Sequence, residues 1–275
     1  MEKLPTQKVV CSFFIAFFLL SDSTTSQEVE DEREFNYDRN SLKGPYNWGE
    51  IRPEWRMCNT GTMQSPIDML NERVKVVSHL GILKRDYHPS NATLINRGHD
   101  ISLKWGGGAG YIEINGTQYE LKQCHWHSPS EHSINGRRYD LEFHMVHESK
   151  DQRVAVIGII FKIGRSDPFL SEMKEHIEAV ADTGDEEKVV GMVDPNHIRI
   201  GNRNSKYYRY IGSLTIPPCT QDVVWTILSK VRTVSREQVS LLRDAVHDDS
   251  ESNARPLQPI NQRPVKLYRP QDHED

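Results

Sequence analysis

The sequence predicts a mainly β fold in a single domain. Short segments rich in β-branched and aromatic residues alternate with turn signals, which is typical of strands and hairpins. Amphipathic helical patterns are few, so the helices are expected at the periphery. No linker-like tract, fixed-period repeat or low-complexity block interrupts residues 35–268. Of the 275 residues, 36% are hydrophobic, which is enough for a substantial buried core.

Three stretches carry the strand prediction. Residues 99–105 and 111–114 are separated by the turn 106–110, and the pair Asn115-Gly116 that follows is a hairpin turn signal. Residues 154–161 are almost continuously apolar, as expected for a strand buried on both faces. That strand is predicted to be central in the sheet.

Two helices are predicted. Four apolar residues after Pro168 share one helical face: Leu170, Met173, Ile177 and Val180. The second helix follows Ser235, which forms a capping box with Gln238 ahead of an apolar stripe.

The N-terminal residues differ in character from the rest of the chain. Lys3 and Lys8 precede the apolar run 9–20, and small polar residues follow, which predicts a signal peptide over residues 1–26. An uncleaved membrane anchor is the weaker alternative, because a membrane span needs about 20 apolar residues. No membrane span is expected after signal cleavage.

The remaining ends are polar, and the charge is balanced. Residues 27–34 are acidic and without periodicity, and the tail 269–275 is equally polar, so both are expected to be flexible or disordered. The formal net charge is -5, with Lys and Arg scattered among Asp and Glu, which indicates no nucleic-acid partner. A small-molecule or protein partner is expected instead.

Secretory entry favours disulfides and glycosylation. Cys11 leaves with the signal peptide, and three cysteines remain: Cys58, Cys124 and Cys219. An odd number leaves one thiol unpaired. Since Cys124 lies in a strand predicted to be buried, Cys58 with Cys219 is the better bridge. The sequons Asn91-Ala-Thr and Asn115-Gly-Thr are candidate glycosylation sites.

A histidine cluster is the main candidate for chemistry. His125 and His127 are two apart on a predicted strand, so both imidazoles point to one face, about 6.5 to 7 Å apart along the chain. In the segment 141–147 the same alternation places Glu142 and His144 on one face. If the two strands pair, His144 supplies a third nitrogen.

Three neutral imidazoles suit zinc with one open position, the arrangement of a catalytic rather than a structural site. Water bound there has a pKa near 7. Gln123 shares the face of His125, and Glu142 that of His144, so each is placed to fix an imidazole tautomer. A His-x-His pair alone fits ordinary surface or core histidines as well as it fits a metal site. The matching positions of Gln123, Glu142 and His144 favour the metal site.

Several sequence blocks together resemble the α-carbonic anhydrases, and in detail they look like those of a plant member. The blocks are Gly44–Trp48, Gly61–Asp68 (GTMQSPID), His125–His132 (HWHSPSEH), Gly212–Cys219 (GSLTIPPC) and Asn253–Pro259. The resemblance extends over residues 35–268. It implies a large twisted, mostly antiparallel central sheet with short peripheral helices. It also implies Zn2+ as cofactor and reversible hydration of carbon dioxide to bicarbonate and a proton by a zinc-bound hydroxide.

The resemblance assigns roles by position. His125, His127 and His144 match the zinc ligands. Thr215 matches a threonine that accepts a hydrogen bond from the zinc-bound hydroxide and donates one to a glutamate, here Glu131. The substrate pocket is matched by Val146, Val156, Leu214, Thr215, Ile216, Val223 and Trp225.

Further positions match the proton pathway and the disulfide. His99 matches the proton shuttle, a task suited to an ordinary histidine pKa near 6.5, and Tyr37 matches a tyrosine that orders the intervening water. Cys58 and Cys219 match the disulfide pair of extracellular members, which would brace the loop carrying Thr215.

Three residues depart from the family pattern. Ile216 is apolar where several relatives have a polar residue, and Arg97 and Ser102 replace asparagines that organise solvent near the shuttle. These departures bear on the efficiency of proton transfer and not on the hydration step itself.

Two alternatives stay open. His125, His127 and Glu131 also fit the metal motif of a secreted cupin, although Tyr119 stands where that motif has glycine and no second motif follows. A binding or storage protein on the same scaffold is the other alternative. The signal peptide predicts the secretory route and the apoplast, or a chloroplast stroma reached through that route.

Overall fold

The computed structural model describes residue 28 and residues 32–181, 187–202, 205–246 and 252–270. The predicted signal peptide and residues 271–275 of the predicted tail lie outside the described residues. Within the described ranges, no helix is both long and apolar enough to cross a membrane.

The strands of the described residues are β1 (Asp68–Met69), β2 (Val74–Val76), β3 (Lys84–Tyr87), β4 (Ser90–Asn96), β5 (Ile101–Trp105), β6 (Gly110–Ile114), β7 (Thr117–His127), β8 (Ser133–Ile134), β9 (Arg137–Arg138), β10 (Leu141–Ser149), β11 (Val154–Ile163), β12 (Lys188–Val193), β13 (Tyr207–Ser213), β14 (Gln221–Leu228), β15 (Arg232–Val234) and β16 (Val265–Tyr268). The α-helices are α1 (Trp48–Ile51), α2 (Met57–Thr60), α3 (Pro168–Ala181) and α4 (Arg236–Val246). Short 3-10 helices cover Pro53–Trp55, Asn71–Arg73, Ser78–Leu80 and Pro195–Ile198.

One large sheet dominates the described part of the chain, and this confirms the predicted fold class. Its main path runs β12-β4-β5-β7-β10-β11-β14-β13-β16-β2, within a sheet of 13 strands. Most neighbours are antiparallel, while three pairs are parallel: β11 with β14, β11 with β15, and β16 with β2. The apolar strand β11 lies between β10 and β14, and its residues 154–161 are all buried, as its composition predicts.

The two faces of the sheet carry separate apolar clusters. On one face α3 and α4 pack against the strands, and the four predicted apolar residues of α3 are buried there. The capping box at the start of α4 is formed: the Ser235 hydroxyl accepts from the Gln238 amide at 3.2 Å, and the Ser235 amide donates to the Gln238 side chain at 3.2 Å. A second cluster, from β11, β13, β14 and neighbouring segments, covers the other face.

Local turn chemistry sets the register of β6 and β7. Asn115 and Gly116 join these strands and have positive φ angles of 51° and 79°. Asparagine and glycine tolerate this left-handed conformation best, so the two-residue turn forms where the sequence predicts it.

The side chains of two glutamates in the segment predicted to be flexible are buried in the structure. The side chains of Glu28 and Glu32 are 8% and 1% exposed, and both lie within ion-pair distance of Arg97. A buried guanidinium needs acceptors for its N–H groups, and nearby carboxylates also balance its charge. This electrostatic requirement, which hydrophobicity patterns do not register, holds the two glutamates against the domain.

Candidate metal centre

The pairing of β7 with β10 brings the three predicted histidines together. His144 lies directly opposite His125 across the antiparallel pair, and Glu142 lies opposite His127. All three histidine side chains are buried, and one ring nitrogen from each lies within 4.8 Å of the other two. Strand alternation places His125 and His127 on one face, and the register of the β7–β10 pair adds His144.

The second ring nitrogen of each histidine donates to a fixed acceptor. These acceptors are Gln123 Oε1 at 2.9 Å for His125 Nδ1, Glu142 Oε1 at 2.9 Å for His144 Nε2, and the Asn253 carbonyl at 2.7 Å for His127 Nδ1. With those nitrogens protonated, the lone pairs of His125 Nε2, His127 Nε2 and His144 Nδ1 face one another.

The convergent nitrogens fit a cation. His144 Nδ1 and His125 Nε2 are 3.3 Å apart, and His127 Nε2 is buried without a hydrogen-bond partner among the described residues. Burial, reinforced by nearby Arg97 and the other two imidazoles, holds the pKa of His125 well below its ordinary value. Neutral imidazole is the form that binds metal, so the donor set matches the three-histidine site of a catalytic zinc.

Glu142 anchors a buried polar network behind His144. It accepts from His132 Nδ1 at 2.7 Å, and His132 Nε2 lies 2.6 Å from the Tyr210 hydroxyl, which lies 2.7 Å from the hydroxyl of Ser65. Burial by itself raises the pKa of Glu142, but the two histidines outweigh it and hold that pKa well below the usual range. The carboxylate therefore stays charged beside His144.

Glu131 and Thr215 are both buried, but they are not hydrogen-bonded to each other in the structure. Glu131 Oε1 accepts from the backbone amide of Arg255 at 2.9 Å. Its Oε2 lies 3.6 Å from His127 Nε2 and has no hydrogen-bond partner within the described ranges. An unsatisfied buried oxygen at this place is available to a hydroxyl donor.

An apolar wall and a cavity lie next to the histidines. Four of the predicted pocket residues are buried in one cluster, against which half-buried Val146 packs: Val156, Leu214, Val223 and Trp225. Ile216 packs elsewhere, with Phe35 and the disulfide. A cavity of about 220 Å³ is lined by Val146, Leu214, Gln123 and, at its polar side, by Glu28 and Arg97.

His99 and Tyr37 lie off the cavity lining. His99 is 7% exposed, and its Nε2 is 2.7 Å from the carbonyl oxygen of Phe35. The rings of Phe35 and Tyr37 pack against its imidazole at centroid distances of 5.5 and 5.4 Å. The Tyr37 hydroxyl is buried and unpartnered among the residues that the structure describes.

Cys58 and Cys219 form the expected disulfide, with Cα atoms 5.0 Å apart, and Cys124 is a buried free thiol. The bridge ties the Thr215 loop to α2. Both sequon asparagines, Asn91 and Asn115, are exposed.

Sequence reasoning missed several residues that complete the site. The Asn253 side chain accepts from the Ser128 amide at 2.7 Å and donates to the His99 and Trp126 carbonyls at 2.9 and 3.0 Å, which places its own carbonyl against His127. Asn253 stands in a block that carries the family resemblance, yet no spacing rule connects it with a histidine 126 positions earlier. No sequence pattern indicated that His132 or Glu28 would lie at this site either.

A large, mostly antiparallel sheet carries three convergent imidazoles on one face, and this donor set could hold a single metal ion. The family model described as eukaryotic-type carbonic anhydrase matches residues 43–269. The chain belongs to this family, and the cupin alternative is thereby replaced.

Individual relatives and solved structures support the family assignment. Alpha carbonic anhydrase 7 of Arabidopsis thaliana is 60% identical over 269 residues, covering 95% of this chain and 97% of that protein. A crystal structure of dioscorin complexed with ascorbate has a TM-score of 0.83 at 46% identity, over 86% of this chain and 99% of that one. The α-carbonic anhydrase of Thermovibrio ammonificans, in complex with sulfanilamide, has a TM-score of 0.75 at 34% identity, over 84% and 98%.

Proposed function

We propose that this chain catalyses the reversible hydration of carbon dioxide to bicarbonate and a proton, with Zn2+ held by His125, His127 and His144. The observation that carries the proposal is the convergence of three ring nitrogens within 4.8 Å, each tautomer fixed by an acceptor on the far side of its ring. Zinc in such a site lowers the pKa of a coordinated water to about 7 and so supplies hydroxide at neutral pH.

The residues around the histidines support this reaction. The apolar wall of Val156, Val223 and Trp225 suits a nonpolar gas and offers no competing hydrogen bonds. Glu131 Oε2, which has no hydrogen-bond partner among the described residues, would accept from the Thr215 hydroxyl. The Thr215 oxygen would in turn accept from the attacking hydroxide, so that a lone pair of the hydroxide points at the substrate carbon. Orientation is the contribution of these two residues.

Proton release is assigned to His99, as the resemblance implies. To carry a proton from the metal site to buffer, the imidazole must release the Phe35 carbonyl, 2.7 Å away, and turn to the cavity. We therefore expect that replacing His99 with alanine lowers turnover in weak buffer and that added imidazole restores it. An unchanged rate without rescue removes His99 from the pathway.

The ligand assignment is tested by His144→Ala. We expect zinc content to fall from about one ion per chain to near zero, because a three-histidine site left with two nitrogens loses its chelation, and stopped-flow carbon dioxide hydration to be lost with it. The matched control is His197→Ala, which removes an exposed histidine paired with Glu172. A His144→Ala protein that keeps both zinc and full rate contradicts the assignment.

A binding or storage role on the same scaffold is the second candidate. It is supported by the similarity to a dioscorin whose structure was solved with ascorbate. The two functions separate in one preparation: a zinc-loaded protein that binds ascorbate in calorimetry but shows no hydration above background favours the binding role. Zinc-dependent hydration without ascorbate binding favours the enzyme.

We also propose secretory targeting, with the apoplast as the first destination and the chloroplast stroma as the alternative. The Cys58–Cys219 disulfide suits an oxidising compartment, and both sequons are exposed. A fluorescent fusion combined with a glycosidase mobility shift tests this. Retention in the cytosol without any glycan contradicts it.

A further inference from the structure

The amide of Gln123 has two orientations that differ in what they present to His125. In one, Oε1 accepts from His125 Nδ1, and Nε2 of the ring is left free for a metal. In the other, the amide NH2 faces the ring and favours a lone pair on Nδ1, so that the proton moves to Nε2. The structure has the first, with Gln123 Oε1 and His125 Nδ1 2.9 Å apart. Amide orientation follows from partners, so the question is which partner selects it.

Ser102 does not select the orientation, because a hydroxyl can both donate and accept. Its oxygen lies 3.4 Å from Gln123 Oε1, at the limit of a hydrogen bond. Glu28 does select it. Its Oε2 is 2.8 Å from Gln123 Nε2, and an ionised carboxylate only accepts. With the amide reversed, two oxygens would face each other at that distance.

Glu28 is itself held in place by Arg97. Arg97 Nη1 donates to Glu28 Oε2 at 3.0 Å, while its Nε donates to Asp100 at 2.7 Å and its Nη2 also contacts Asp100 and, at 3.3 Å, Glu32. The Arg97 side chain is 3% exposed. The same carboxylate oxygen of Glu28 therefore receives one bond from a fixed guanidinium and one from Gln123.

We propose that Glu28 is a positioning residue for the metal centre, acting through the relay Arg97–Glu28–Gln123–His125. Its carboxylate fixes the Gln123 amide, the amide fixes the His125 tautomer, and the tautomer presents Nε2 to the metal. The proposal rests on the proposed function only in that the three-histidine cluster binds a metal. Arg97, which departs from the family pattern, is thereby given a role: it holds the carboxylate that performs this selection.

The test measures zinc affinity by competition with a chelator. It uses the secreted protein, whose N-terminus is first determined by mass spectrometry. Loss of a residue that directly orients a metal ligand costs about 10–100-fold in affinity. We expect Gln123→Ala to fall in that range and Glu28→Ala, one bond further out, to weaken zinc binding by about 3–10-fold. A secreted protein that begins after Glu28 overturns the proposal.

Two comparisons separate positioning from charge and from folding. Glu28→Gln removes the negative charge but keeps an oxygen that accepts from Gln123, because Arg97 donates to that same position and so holds the oxygen, not the NH2, toward it. We therefore expect an affinity within about twofold of wild type. Glu34→Ala is the matched control, since Glu34 is an exposed carboxylate of the same segment paired with Arg52. In a Gln123→Ala background, Glu28→Ala should lose most of its effect, and what is left measures the direct attraction between Glu28 Oε2 and His125 Nδ1, 3.8 Å apart.

Two results overturn the proposal. One is that Glu28→Gln loses as much affinity as Glu28→Ala, which makes the effect one of charge. The other is that the two alanine substitutions add independently. Because the readout is metal affinity and not turnover, a wild-type protein that binds zinc with this Glu28 dependence but hydrates no carbon dioxide contradicts the proposed function alone.

Discussion

His147 is expected to make the fold sensitive to mild acid independently of the metal ligands. It lies on β10, on the face opposite the metal centre, and is fully buried. The Tyr87 hydroxyl lies 2.8 Å from its Nε2, and its Nδ1 lies 3.3 Å from the Ala155 carbonyl. Burial lowers the pKa of His147 to about 4, and backbone hydrogen bonds to Ala155 and Met145 offset only part of this.

The direction of the pH effect follows from proton counts. Well above pH 6.5 the side chain of His147 is neutral in the folded and unfolded chains and contributes nothing to the pH dependence. Between its ordinary pKa of 6.5 and its folded pKa of about 4, the unfolded chain binds a proton that the folded chain does not, so stability falls as pH falls. The full loss is about 3 kcal/mol, of which about 1 kcal/mol is reached at pH 5.5.

The assay is urea unfolding of zinc-free protein at pH 7.5, 5.5 and 4.5, comparing wild type with His147→Gln, which cannot titrate. We expect the variant to be less stable at pH 7.5 but to lose about 2 to 3 kcal/mol less than wild type on going to pH 4.5. Acid effects of the other buried histidines are common to both proteins and cancel. His79→Gln, at an exposed histidine, should follow wild type. Equal losses in wild type and His147→Gln refute the reasoning.

Two further predictions concern stability and the buried network. Replacing both Cys58 and Cys219 with serine opens a covalent loop spanning 161 residues and should lower the free energy of unfolding in guanidinium by about 2–5 kcal/mol. Reduced wild-type protein should match the variant. A loss below about 1 kcal/mol would contradict the expectation. Tyr210→Phe removes the hydroxyl 2.6 Å from His132 Nε2 and should cost about 1–3 kcal/mol while weakening zinc binding through Glu142. Zinc affinity equal to wild type in Tyr210→Phe would show that the network does not reach the metal.

What the sequence predicts well here depends on local periodicity. The two-residue alternation of a strand places His125 and His127 on one face whatever the rest of the fold does, and the same rule puts Glu142 beside His144. The capping box at Ser235 and the turn at Asn115 likewise depend on neighbours within a few residues. These features need no knowledge of tertiary packing.

The partners that complete the site depend on packing between distant segments. The Asn253 carbonyl reaches His127 across 126 positions, and the Arg255 amide reaches Glu131 across 124. Neither contact leaves a periodic trace in the sequence. Composition also gave no sign that the side chains of Glu28 and Glu32 are buried. It measures how much apolar surface a segment can bury, whereas Glu28 is paired with Arg97 at 3.0 Å and Glu32 lies 3.3 Å from the same guanidinium.

The three histidines are consequently unequal in what holds them. His127 is oriented by a backbone carbonyl, which no side-chain substitution removes directly, and His144 by Glu142, a charged group fixed from behind by His132. His125 alone is oriented by a neutral amide, that of Gln123. This amide must itself be oriented, and the group that contacts it is Glu28 of the acidic N-terminal segment. Of the three proposed ligands, His125 is the one whose geometry should be most easily disturbed by substitutions outside β7 and β10. The affinity experiment on Glu28 therefore tests the least firmly oriented of the three histidines.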